Sequence, residues 1–115
     1  MTDQEKCRAL AEKLGWELGD DILIGPWYRL PGSDDPLRMV LEPHPDFAFA
    51  VLEELARMGY RPELARMGTN GWDCDIYARD AGRTDHLEGY GHNADPCLAI
   101  IQAASAALGI GGDDE

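Results

Sequence analysis

The sequence predicts an α+β protein with three helices and mainly antiparallel pairing, and three observations carry that expectation. First, the apolar run from Asp95 to Gly109 has both ends of a helix written into it: Asp95 as N-cap, Pro96 at the first helical position, Gly109 as a left-handed stop. Second, Asn70-Gly71 is a strong hairpin signal, and the residues after it alternate, with Trp72, Cys74, Ile76 and Ala78 on one side and Asp73, Asp75, Tyr77 and Arg79 on the other. Third, residues 60 to 90 hold three short extended segments separated by tight turns. That spacing leaves no room for the crossovers that parallel neighbours need.

Taken in order, the first helix is signalled by Thr2 and Glu5 at capping-box spacing. Cys7, Leu10, Ala11 and Leu14 share one face, and Gly15 ends the helix with Trp16 behind it. Gly19-Asp20-Asp21 reads as a turn and Ile22 to Leu30 as extended, interrupted by a bulge or edge feature at Gly25-Pro26. Pro31 to Pro36 is expected as loop and Leu37 to Leu41 as a short strand. Asp46 is expected to cap a second helix running to Met58, with Phe47, Val51, Leu55 and Met58 on its stripe. Gly59 and Tyr60 repeat the Gly-aromatic stop of Gly15 and Trp16. Strands follow over Arg61 to Met67, Trp72 to Arg79 and Thr84 to Tyr90, the last two joined by a turn at Asp80 to Arg83. Gly89-Tyr90-Gly91-His92-Asn93 leads into the closing helix, and Gly111 to Glu115 forms an acidic tail. Residues 1 to 110 thus read as a single domain.

In that closing helix Cys97, Ile100, Ile101, Ala104 and Leu108 form one face, while the rest is small and neutral. A helix without charge in so acidic a chain needs cover on more than one side, from its own sheet and a neighbouring helix or from a second subunit. A homo-oligomer is one way to supply it.

The chain has 115 residues, 44% of them hydrophobic, which suffices for one core. Its formal net charge of −12 argues against direct nucleic-acid binding, which requires clustered Lys and Arg. Such a charge serves solubility, or steers a basic partner surface toward the protein. Cys7, Cys74 and Cys97 are far apart, without a C-x-x-C, and read as reduced core thiols. The N-terminus lacks the basic and apolar regions of a signal peptide, and the run after Pro96 falls short of the about 20 strongly apolar residues a span requires. The expectation is a cytoplasmic protein that does not enter a membrane.

Five stretches together resemble small bacteriophage and prophage proteins of the phage ABA sandwich domain family. They are Ala9 to Trp16 (A-L-A-E-K-L-G-W), the Trp27-Tyr28 strand, Pro45 to Leu55 (P-D-F-A-F-A-V-L-E-E-L), Trp72 to Tyr77 (W-D-C-D-I-Y) and the Ala94 to Leu108 helix. The resemblance covers most of the chain and includes no catalytic motif. It implies a layered α/β/α-type sandwich in a phage accessory protein of the host bacterial cytoplasm. The Pro43-His44-Pro45 approach to the second helix and the acidic tail depart from the family pattern.

Asp73 and Asp75 share a strand face, where a D-x-D pair joined by His86 or Glu88 would begin a cation site; solvated or Arg-paired carboxylates are the ordinary alternative. His44, His86 and His92 fit no zinc spacing, so no metal and no cofactor is expected. No G-x-S-x-G is present, and Cys97 suits the core better than a nucleophile's role, so the chain is not expected to be an enzyme. Gly89 to Asn93 before a helix would cradle a phosphate through backbone N–H groups, but Asp95 stands where the anion must approach. Trp27, Trp72, Tyr77 and Tyr90, with Arg29, Arg79 and His92, are the candidate ligand-binding set if they face outward together; strand aromatics otherwise fill the core. Two functions follow as expectations. One is a non-enzymatic protein that inhibits a host factor, as in anti-defence, through an acidic surface. The other is a protein that sequesters a nucleotide signal with these aromatics and an arginine among Arg29, Arg79 and Arg83 at a subunit junction.

Overall fold

The closing helix is the centre of the molecule. In the computed structural model, which describes residues 2–31, 38–78 and 86–110, α3 (Pro96–Ala107) has Ala99, Ile100, Ile101, Ala103 and Ala104 entirely buried. Its ends follow the sequence signals. The Asp95 side chain accepts from the Cys97 N–H at 2.8 Å, and at the other end the Ile110 N–H donates to Ser105 O and the Gly109 N–H to Ala106 O. That pair of bonds is a Schellman stop, made possible by φ +74° at Gly109.

Helix α1 (Asp3–Lys13) begins in a complete capping box. Thr2 Oγ1 accepts from the Glu5 N–H while the Glu5 carboxylate accepts from the Thr2 N–H. It ends with Trp16 N–H on Ala11 O, which folds the indole back onto the core. The N-cap of helix α2 (Pro45–Arg57) lies two residues before the expected one. His44, not Asp46, is the N-cap: its Nδ1 accepts from the Asp46 N–H, and Pro45 takes the first helical position, where no N–H is missed. Phe47, Val51 and Leu55 are buried as the stripe predicts, but Met58 is the C-cap and half exposed.

The strands form two three-stranded antiparallel sheets. In the first, β1 (Glu17–Asp21) pairs with β2 (Gly25–Arg29), which pairs with the short β3 (Met39–Val40). This corrects the expectation at Gly19-Asp20-Asp21, which is strand, while Ile22-Leu23-Ile24 is the turn. Gly19 lies opposite Trp27, and the indole occupies the space a side chain there would need. The expected Pro31 to Pro36 loop lies almost wholly outside the described residues. In the second sheet, β4 (Tyr60–Arg66), β5 (Trp72–Ala78) and β6 (His86–Asn93) form the expected meander. Its first turn is closed by Met67 N–H to Gly71 O at 2.8 Å. The Asp80 to Arg83 turn and the acidic tail fall outside the described residues.

One core joins these layers of helix and sheet. Tyr28 from the first sheet stacks on Trp16 at 5.4 Å between centroids, and the edge of Phe47 from α2 meets both rings. Cys74 and Ile76 from the second sheet bury against α3 in the same cluster. All three thiols are free and buried. The architecture is therefore α+β with three helices and antiparallel strands.

Between α3 and β6 the approach is unusually close. Gly89 and Gly91 point at the helix, and a Cβ on Gly91 would sit 2.8 Å from Ala103 N, while one on Gly89 would sit 2.7 Å from Ala107 N. The expected Gly-rich loop at Gly89 to Asn93 is therefore strand, its glycines chosen for contact with a helix and not for cradling an anion. The neutral Ala99 and Ala103 surface, which the sequence leaves open to a second subunit, is taken up by this contact within the chain.

Candidate functional site

Because α3 covers one face of the second sheet, the side chains that alternate away from it stand on the other. The register brings Ala65, Asp73 and His92 into one row, Glu63, Asp75 and Tyr90 into the next, and Arg61, Tyr77 and Leu87 into a third. A bulge on β6 makes this set. Ile76 pairs with Gly89 but Tyr77 pairs with Leu87, so Glu88 is the extra residue, and the alternation on β6 changes phase there. Leu87, Tyr90 and His92 thereby share a face that no simple period-2 reading of β6 groups together. Leu87 is 54% exposed and Tyr90 50% exposed, so the face is open.

Asp73 is its hub. The Tyr90 hydroxyl donates to Asp73 Oδ1 at 3.0 Å, and His92 Nδ1 shares the same oxygen. The His92 hydrogen bond, helped by that from Tyr90, holds the Asp73 carboxyl below its ordinary range, and the same carboxylate pushes the Tyr90 phenol up. Its neighbour Asp75 moves the other way: partial burial, then the charges of Asp73 and Glu63, raise it. Arg61 pairs with Glu63 and lies 4.7 Å over the Tyr77 ring. The His92 backbone N–H is met by the Gln102 side chain of α3, which blunts the outer edge of β6 at that point.

An Asp–His pair orients an imidazole as a general base does, yet a base needs a nucleophile or a substrate held beside it. Among the residues in these three rows there is no Ser, Thr or Cys, and the surface is a sheet face and not a cleft. Among the described residues no group of three or more His, Cys, Asp or Glu is placed to hold a metal ion. His86 pairs with Ala78, at the far end of β5 from Asp73, so the histidine that joins the D-x-D strand is His92. The arrangement suits adhesion: two tyrosines and a leucine set among three carboxylates, one arginine and one histidine.

Of the seven candidate ligand-binding residues, Tyr77, Tyr90 and His92 meet on this face. Trp72 belongs to the opposite side of β5, partly buried against the core. Trp27 and Arg29 are on the first sheet, where Trp27 is only 8% exposed, with the guanidinium groups of Arg29 and Arg38 at 5.7 and 4.8 Å from its ring. Arg29 also pairs with Glu17 and Arg38 with Asp21. The outward platform of Trp27 with Trp72 is thus not formed, and Arg79 and Arg83 lie outside the described residues. A surface recess of about 350 Å³, lined by Met58, Gly59, Tyr60, Ala78 and Glu88, contains none of the seven. Sequence reasoning missed Asp73 as the partner of Tyr90 and His92, and Arg61 beside Tyr77; the cross-strand register after Asn70-Gly71 is the signal that finds Arg61.

Compared with known families, curated proteins and solved structures, the chain matches none. No helix among the described residues is long and apolar enough to cross a membrane.

Proposed function

We propose that this chain is a non-enzymatic protein-binding module that meets a basic partner surface through the open face of its second sheet. The observation that carries the reading is the grouping of half-exposed Leu87 and Tyr90 with Asp73, Asp75 and Glu63 on a face that the protein's own helices leave bare. Tyrosines supply contact area at low entropic cost, and the carboxylates, in a chain of net charge −12, speed encounter with a cationic surface and select against acidic ones. In the phage or prophage setting that the family resemblance implies, the partner is a host protein in the bacterial cytoplasm, and binding inhibits it, as an anti-defence protein would.

The test is capture of a partner from host lysate at low and at raised salt, with the wild-type chain beside Tyr90→Ala and Asp75→Lys. A specific basic protein retained by the wild type, released by salt and lost with either variant supports the reading. Equal retention by all three chains defeats it. The nucleotide-sequestering alternative draws on the strand aromatics and an arginine among Arg29, Arg79 and Arg83 at a subunit junction; of these aromatics, Trp27 and Trp72 lie on different sheets.

A further inference from the structure

The β1–β2 hairpin turns through Ile22-Leu23-Ile24, and Ile22 at 101% and Leu23 at 91% are the most exposed aliphatic residues among those described, with Ile24 41% exposed beside them. Turn positions ordinarily take Gly, Pro, Asn, Asp or Ser. None of the three contributes to the core, so folding gains nothing from their being aliphatic. The turn is nevertheless well built. Asp21 Oδ1 accepts from the Leu23 N–H at 2.7 Å and the Ile24 N–H at 3.4 Å, Gly25 closes the turn at φ +80°, and Arg38 holds the other Asp21 oxygen at 3.2 Å. Apolar groups held in water at a defined place are positioned for a contact made outside the chain.

We propose that Ile22 and Leu23 are an anchor that enters an apolar pocket with a basic rim on a protein partner. Charge selects this occupant among three. A second copy would bring two chains of net charge −12 together, and an anionic bilayer would repel the exposed Asp20 beside the tip, whereas a pocket ringed by Lys and Arg attracts it. The anchor shares with the sheet-face reading only that the partner is a basic protein, and it adds an apolar contact on the other sheet.

The test uses the full chain carrying a photoreactive side chain at position 23 or, in a separate preparation, at position 90. Each is irradiated in host lysate; the crosslinked protein is identified by mass spectrometry, purified, and titrated with wild type and with the Ile22→Ser, Leu23→Ser double variant. The expected result is a crosslink from position 23 into an apolar pocket of a basic protein. The double variant then weakens that complex at least tenfold, while its thermal midpoint and the slope of log Kd against log salt stay as in wild type. No crosslink from position 23, a crosslink only to a second copy, partition of the wild type into phosphatidylcholine vesicles that the variant lacks, or an unchanged Kd each overturns the anchor. A partner that crosslinks at position 90 and ignores the double variant removes the anchor and leaves the sheet-face reading; one that crosslinks at 23 and not at 90 does the reverse.

Discussion

Gly91 of β6 lies directly beneath Ala99 and Ala103 of α3, so close that a Cβ added to the glycine would reach the Ala99 carbonyl oxygen and come within 2.8 Å of the Ala103 nitrogen. Those obstacles are helix backbone and cannot rotate aside. Gly91→Ala must therefore lift α3 from the sheet, and overpacking of this kind costs about 3 kcal/mol, at or beyond the upper end of the usual range. Urea denaturation should show this loss, and a similar one for Gly89→Ala. An unchanged midpoint for both would mean that the helix and strand are not in this contact.

The edge of Phe47 meets Trp16 and Tyr28 at centroid separations of 5.7 and 5.3 Å, and all three rings are buried. Phe47→Ala should cost about 3–5 kcal/mol, because it leaves a cavity between α2 and the first sheet as well as losing transfer energy. Near-ultraviolet circular dichroism should weaken as the packing of Trp16 against Tyr28 loosens. A cost under 1 kcal/mol would place Phe47 outside the core.

Asp73 and Asp75 should respond oppositely to pH. The folded pKa of Asp73 is depressed, so its contribution is present in full above the ordinary carboxylate range and is lost as pH falls through the lowered value. The folded pKa of Asp75 is raised, so its contribution is present below that range and is lost as pH rises through the raised value. Asp73→Asn should therefore lower the thermal midpoint at pH 7 and flatten the acid limb of the stability profile. Asp75→Asn should raise the midpoint at pH 7. Thermal melts between pH 3 and 7 decide the matter, and a rise for Asp73→Asn or a fall for Asp75→Asn would contradict the assignment.

Burial pushes the thiols of Cys7 and Cys74 up to about 12 from the ordinary value of 9.0. Both should resist a chromogenic disulfide reagent at pH 8 in the native state and react at once in denaturant, since the thiolate is the reacting form. The same shift makes stability decline as pH rises from 9.0 toward about 12, as the unfolded chain releases protons that the folded chain keeps. Fast native-state labelling of Cys74 would show that the second sheet opens from α3.

Much of the fold was legible because its signals act over a few residues. Thr2 and Glu5 satisfy each other's N–H groups, Asp95 caps the helix that Pro96 begins, and Gly109 reverses the chain, all within hydrogen-bond reach along the sequence. The alternation from Trp72 to Ala78 is equally local, as each side chain's face follows from the pleat. Where local chemistry offered two solutions, tertiary contact chose. Gly19-Asp20-Asp21 has the composition of a turn and Ile22-Leu23-Ile24 that of a strand. Pairing with β2 reversed them: Gly19 gives Trp27 its space, and Asp21 supplies the acceptor for the turn amides.

By itself the sequence determined the α+β class, the three helices with most of their ends, the reduced thiols and the acidic surface. Only the tertiary structure decided that Tyr90 and His92 meet Asp73, because that meeting depends on a bulge whose position is set across strands and on two glycines that let α3 settle onto β6. It also decided that Trp27 is covered and not part of an outward platform, and that Leu23 is bare, the reverse of what an aliphatic residue suggests. Periodicity and capping are properties of neighbours in the chain. Register, bulge and cover are properties of neighbours in space, which one strand read alone does not contain.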